Sequence, residues 1–355
     1  MDRKKLRNLV FLMLLFALTV WSVFHGEDLR SVLYYLATAD LRYIAAGILC
    51  VIGFILGESV VIFYLLRILG SRVRFFHCCL YSFVGFFYSC ITPSASGGQP
   101  MQVMMMRRDR IPVPVSTVVL ALVTITYKLV LVFLGLIVLC VRPPQIMAYL
   151  EPAESLIVIG LILNVVCVAA LLLLVFHPSL VHAAAVRCMM VLHRIRTFHN
   201  LEKQMIRLQR LADQYYGTAE FYRNNRHVVV RVFLITLLQR CCLFLVTWFT
   251  YRAFDLSSKS LWVILTLQGM ISVAVDMLPL PGGMGISENL FLLIFEPVFG
   301  EELLLPAMVV SRGIGYYTQL LISAVMTAAA CLIIREKSGQ MTEIPEGKKE
   351  GDIPL

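Results

Sequence analysis

The sequence predicts an all-α polytopic membrane protein with about six full spans and two re-entrant helical hairpins, arranged as an inverted-topology repeat. Three observations predict it. Of 355 residues, 59% are hydrophobic and only 15% charged, with a mean hydropathy of +0.82, whereas soluble domains carry roughly 25% charged residues. Several apolar runs reach the ~20 residues that cross a bilayer. Two Pro/Gly-rich breaks then interrupt apolar segments about half a chain apart: Thr92-Pro93-Ser94-Ala95-Ser96-Gly97-Gly98-Gln99-Pro100, and Pro279-Leu280-Pro281-Gly282-Gly283-Met284-Gly285-Ile286-Ser287-Glu288. Lipid offers no hydrogen bonds to broken backbone, so such breaks survive at membrane depth only inside protein or beside a water-filled cavity. A matched pair in two halves points to a transporter's binding site.

Taken in order, apolar runs place helices near 9–24, 43–66, 115–141, 155–176, 228–251 and 303–334. The runs 75–91 and 261–278 lead into the breaks, and short apolar stretches, 101–106 and 289–295, follow them. The basic N-terminus opens like a signal peptide, but no small-residue cleavage site follows Trp21, which predicts a retained first helix. Between the halves, Phe198, Leu201, Met205, Leu208 and Ala212 recur at helical spacing among Arg194, Arg196, Lys203, Arg207 and Arg210. That pattern predicts an amphipathic basic connector over 178–222 on the cytoplasmic membrane face. Its plain role is to join the halves and set topology; lipid sensing is the sharper one. The resulting organisation is a first membrane repeat over 1–150, a second over 151–335, and a polar tail over 336–355 expected to be disordered.

The net charge of +9 does not indicate nucleic acid, because Arg and Lys cluster in alternate loops as the positive-inside rule expects. Segments 67–74, 107–110 and 177–227, the N-terminus and the tail carry most of them. One arrangement satisfies this bias. The run 75–106 enters from the cytoplasm, turns at Gly97-Gly98 and returns, whereas 261–298 enters from outside, turns at Gly282-Gly283 and returns there. Both termini are then cytoplasmic. The alternative has about eight full spans with Pro-rich loops beyond 75–92 and 261–278, and hydropathy alone does not choose between the two.

Charges inside spans pair, face a cavity or do work. Glu58, Lys128, Arg240, Asp276, Glu288 and Arg312 are the candidates. Aligning Gly97 with Gly282 shifts the numbering by 185, which brings Lys128 beside Arg312 and Glu58 near Arg240. Two readings follow. The charges can be structural ion pairs, such as Glu58 with Arg240, and Asp276 or Glu288 with Lys128 or Arg312. Alternatively, Lys128, Arg240 and Arg312 present positive charge to an anionic head group, for which Arg offers a planar two-bond fork. Half-helices starting after Gly98 or Gly283 would add free N–H groups toward the same anion. Ser96 and Gln99 add uncharged hydrogen-bonding groups to a candidate substrate site that also includes Gly97, Gly98, Gly282 and Gly283. The ten cysteines show no metal-ligand spacing, and neither a metal nor a cofactor is expected.

The Pro93 to Gly98 element with Arg107-Arg108 after it, the Pro281-Gly282-Gly283-Met284-Gly285-x-x-Glu288 element, and the basic connector together resemble the flippase-like transmembrane family of lysylphosphatidylglycerol synthase/flippase proteins. That family includes the membrane part of the multiple peptide resistance factor. The resemblance covers most of 1–335. It implies movement of a phospholipid, an aminoacylated phospholipid or an isoprenoid lipid between leaflets of the bacterial cytoplasmic membrane, and with it antimicrobial peptide resistance. Two-domain relatives carry a cytoplasmic synthase domain. This sequence ends 20 residues after Arg335, so lipid aminoacylation is not expected of it. The expected partners are membrane lipids with anionic or aminoacylated head groups, and a second copy or a separate lipid synthase is a further candidate partner. No G-x-x-x-x-G-K-[ST] loop is present, so movement is expected to be downhill or ion-coupled, with Asp276 or Glu288 as proton carrier. Two rivals stay open: an intramembrane enzyme acting on a lipid head group, and a scaffold for a separate synthase.

Overall fold

The computed structural model describes residues 34, 37–176, 216–278, 280 and 283–334. The predicted helix 9–24, connector residues 178–215, the tail and Gly282 lie outside the described residues. Among the described residues the chain is helical, with no strand. The main helices are α1 (Leu41–Ile68), α2 (Phe75–Ile91), α3 (Gly98–Arg108), α4 (Val113–Val141), α5 (Pro144–Leu150), α6 (Glu154–Phe176), α7 (Arg226–Ala253), α8 (Leu261–Val275), α9 (Ile286–Phe299), α10 (Glu301–Arg312) and α11 (Gln319–Ile333). A π-helical stretch, Gly313–Thr318, joins the last two.

Five stretches are long and apolar enough to cross a membrane: Leu41–Ile68, Val113–Val141, Pro144–Leu173, Arg226–Ala253 and Glu301–Ile333. They coincide with five of the six predicted spans. Two details differ from expectation. The stretch after Val141 was expected to be a loop, yet Pro144 starts a short helix, because proline's fixed φ suits the first helical position. The last span carries a π segment at Gly313-Ile314-Gly315, which hydropathy does not register.

The two interrupted segments have matching form. α2 has 17 residues and α8 has 15; at ~1.5 Å per residue each falls short of a full ~30 Å crossing. The shift of 185 also organises the fold. Adding 185 to 41 and 68 gives 226 and 253, the ends of α7. α1 and α7 pack along one another, and Gln239 Nε2 donates to the carbonyl of Phe54, its counterpart under that shift, at 3.0 Å.

Two apolar clusters mark opposite ends of the bundle. The first joins the end of α1, the first half of α2, the end of α3, the starts of α4 and α7, and the end of α11. The second joins the ends of α4 and α7 with α5, the start of α6, α8, α9 and α10. The α2–α3 arm pair is thus rooted at one end and the α8–α9 pair at the other. At the first root, Asp109 Oδ2 accepts from the Tyr81 hydroxyl and meets His77 Nδ1 at 2.6 Å, clasping the start of α2 to the end of α3. Between the ends, Cys90, Met284 and Tyr316 pack together, so the two tips meet at the π segment.

In membranes, helices associate through close packing of small residues rather than through a hydrophobic drive. Gly160 shows this: a Cβ there would stand 2.5 Å from the Val273 carbonyl and 2.6 Å from the Ala274 Cα. Because these are backbone atoms, Gly160→Leu should cost about 1–3 kcal/mol and lower the unfolding temperature in detergent. Gly217, with nothing among the described residues within 4 Å of its added Cβ, should accept Ala without loss of stability.

Candidate functional site

The first break satisfies its own backbone. After Ile91 the chain makes a 3₁₀ turn over Pro93–Ala95 and restarts as α3 at Gly98. The Thr92 hydroxyl donates to the Tyr88 carbonyl at 2.6 Å and accepts the Gly97 N–H at 2.9 Å. Gly98 lies against the Gly85 carbonyl and the Ser89 hydroxyl with no room for a side chain, which holds α3 tight on α2. Gln99 donates to the Thr124 hydroxyl of α4.

The second break is organised by one carboxylate. Gly285 adopts φ +84, a conformation that favours glycine. Its N–H donates to Glu288 Oε2 at 2.7 Å. This is the Glu half of a capping box; glycine has no side chain to complete the other. The second oxygen, Oε1, accepts from Arg312 Nε at 2.7 Å. Glu288 therefore starts α9 and ties the hairpin to the last span in one group, and it is buried.

A second buried ion pair joins α4 to the end of α8. Lys128 of α4 donates to Asp276 Oδ2, at the end of α8, at 2.6 Å. Asn164 of α6 stands 3.5 Å from the same ammonium, and its amide donates to the carbonyls of Gly160 and Val273. Asn164 thereby fixes α6 to α8 where the helices are closest. Nothing in the sequence analysis singled it out, although a lone amide in so apolar a helix was a signal available to it.

The expected Glu58–Arg240 ion pair does not form. Glu58 Oε1 instead accepts from Gln102 Nε2 of α3 at 2.6 Å. Arg240 stacks its guanidinium over the rings of Tyr127, at 4.5 Å, and Phe54, at 5.3 Å, and its Nε has no hydrogen-bond partner. The reason is steric and local. Gln102 passes over Gly85, where a Cβ would collide with it, and so reaches Glu58. The two aromatic faces meanwhile hold Arg240 by cation–π attraction. Gln102, Tyr127 and Phe54 were missed because a helical aromatic or amide reads as core until its partner is known.

These groups surround one cavity of about 540 Å³, within the ligand-sized range of roughly 300–1,000 Å³. Of the predicted site residues, Glu58, Ser96, Gln99, Lys128, Arg240, Asp276, Gly283 and Arg312 line it. Glu288 stands behind Arg312; Gly97 and Gly98 shape the first tip without lining the cavity. Both hairpin tips thus meet one space, as do three cations. Two of the cations are bound to carboxylates, while Arg240 faces the space with only aromatic support among the described residues.

Such an arrangement defines a polytopic helical membrane protein whose two interrupted segments enclose a charged internal cavity. The chain belongs to the family described as the lysylphosphatidylglycerol synthase TM region, whose model matches residues 9–323. No curated protein matches it. Membership fits a lipid-related role at a membrane.

Removing one member of a buried pair strands the other and costs about 3–5 kcal/mol, while replacing both with apolar groups can be neutral. Asp276→Asn should therefore lower the unfolding temperature in detergent more than the double variant Lys128→Met/Asp276→Leu does.

Proposed function

We propose that this protein moves a lipid with an anionic head group between leaflets, as a flippase or scramblase. The observation that carries this reading is Arg240: a guanidinium facing a ligand-sized cavity between two hairpin tips, with no carboxylate bound to it among the described residues. Its planar fork suits a phosphate. Ser96 and Gln99, which line the same cavity, add neutral donors for the rest of a head group, while the acyl chains stay in the bilayer.

The roots of the arm pairs support the topology. The α2–α3 pair packs into the cluster that holds the end of α1 and the start of α7, and the α8–α9 pair into the opposite cluster. We read these as re-entrant hairpins from opposite faces, in two inverted repeats. Arg67, Arg72, Arg74, Arg107 and Arg108 lie near the root of the first pair, which supports reading that end as cytoplasmic, in a cytoplasmic membrane with both termini inside. A pseudo-symmetric pair of hairpins around one site suits alternating exposure of that site to each leaflet.

The test is reconstitution into phosphatidylcholine vesicles doped with a fluorescent phosphatidylglycerol, with leaflet exchange and chemical products measured together. Exchange above protein-free vesicles, without chemical change, is expected; conversion of the lipid without exchange would favour an enzyme. A charge-assisted hydrogen bond is worth about 1.5–3 kcal/mol, so Arg240→Ala should slow exchange by about tenfold to a hundredfold. Arg240→Lys should recover only part of it, since an ammonium lacks the planar fork.

A further inference from the structure

We infer that Glu58 is a proton-binding site coupled to anion binding at Arg240, so that this protein carries an anionic head group together with a proton. The inference rests on the transport reading above and adds what drives it.

The geometry separates Glu58 from the other two carboxylates. Asp276 is held by Lys128 at 2.6 Å and Glu288 by Arg312 at 2.7 Å. Protonating either would break a buried ion pair, which is costly. Glu58 has no ion-pair partner within 4.0 Å among the described residues; its Oε1 accepts one hydrogen bond, from the uncharged Gln102, and its side chain lines the cavity. A proton taken from the cavity water forms an O–H bond at Oε2, which has no hydrogen-bond partner among the described residues. The Gln102 bond to Oε1 is retained, and no other ion pair is broken.

The charges around the cavity supply the coupling. From α7 the group facing this space is Arg240, and α4 brings Lys128 and Tyr127. α2 and α6 bring Cys90 and Cys167, and the last span brings Arg312 and Tyr316. With Glu58 ionised, three cations balance three carboxylates, counting Glu288 behind Arg312. An anion arriving at Arg240 leaves one negative charge in excess in a low-dielectric site. A proton on Glu58 removes it. Each ligand therefore favours the other, and the coupling is reciprocal by linkage. The empty site with ionised Glu58 and the loaded site with protonated Glu58 are both neutral, so both cross the membrane's low-dielectric centre at least cost.

The experiment uses the full-length protein in the same vesicles, first at equal pH on both sides and then with a pH gradient. Exchange at equal pH tests transport itself; its absence there would overturn the transport reading and this inference together. With a gradient, the fluorescent phosphatidylglycerol should accumulate several-fold in the leaflet facing the alkaline compartment, relative to protein-free vesicles. Exchange that ignores the gradient would overturn the coupling and leave transport standing. Glu58→Gln should abolish the gradient-driven accumulation, with a monodisperse elution profile in detergent confirming that it folds; accumulation that survives in a folded variant removes Glu58 from the role. A measurement on the wild type alone stands beside it. In weakly buffered detergent, adding glycerophosphoglycerol, a diester with no proton to give near neutral pH, should draw up protons in step with binding. Binding without proton uptake would sink the inference.

Discussion

Inside a bilayer no polar group can be left to the solvent, and the architecture of this protein follows from that constraint. Two broken segments reach the interior, and each must find partners for its freed backbone within the protein. The first uses a hydroxyl, with Thr92 bridging Tyr88 and Gly97. The second uses a carboxylate, with Glu288 receiving the Gly285 N–H. The choice has consequences. A hydroxyl closes its break neutrally and needs nothing further. A carboxylate brings a charge that must be balanced, and Arg312 balances it. The last span is thereby pinned to the second tip, and its π segment carries Tyr316, whose hydroxyl donates to the Cys90 carbonyl at the first tip at 3.0 Å. One neutralised carboxylate thus links both tips and the final helix.

The remaining charges are arranged by the same economy, with one exception. Lys128 and Asp276 neutralise one another between α4 and the end of α8, and Asn164 ties their surroundings to α6 and α8. Such pairs gain little net stability because desolvation offsets attraction; what they contribute is a fixed position for the tip of α8. Arg240 and Glu58 are different. Each is held by uncharged groups, two rings in one case and an amide in the other. Aromatic faces and amides keep a charged group in place without cancelling its charge. Both groups therefore keep their charge at the cavity.

Much of the fold was legible in the sequence because hydropathy and Pro/Gly punctuation are local signals. The edges of α1, α4, α6, α7 and the last span fall within about two residues of the apolar runs. The shift of 185, taken from two glycine pairs, turned out to carry α1 onto α7 end to end. The partnering of charges was less legible. Linear proximity under the repeat placed Glu58 with Arg240, but side-chain reach decided otherwise: Gln102 arrives first, through the space left by Gly85. Tyr127 was invisible for a related reason, since its role depends on which face of its helix meets which neighbour. The short helix at Pro144 was missed because proline after a span reads equally as loop and as helix start.

The site is asymmetric even though two of its helices correspond. α1 and α7 are equivalent in length and pack together, yet α1 contributes a carboxylate and α7 a guanidinium at nearly corresponding depths. Had both helices carried the same charge, two like charges would face one low-dielectric space, and one would have to be neutralised permanently. Opposite charges on equivalent helices avoid that cost while leaving both groups available. They are kept out of a direct ion pair by Gln102 on one side and by Tyr127 and Phe54 on the other. Two helices of matching length thus meet the cavity with opposite charges.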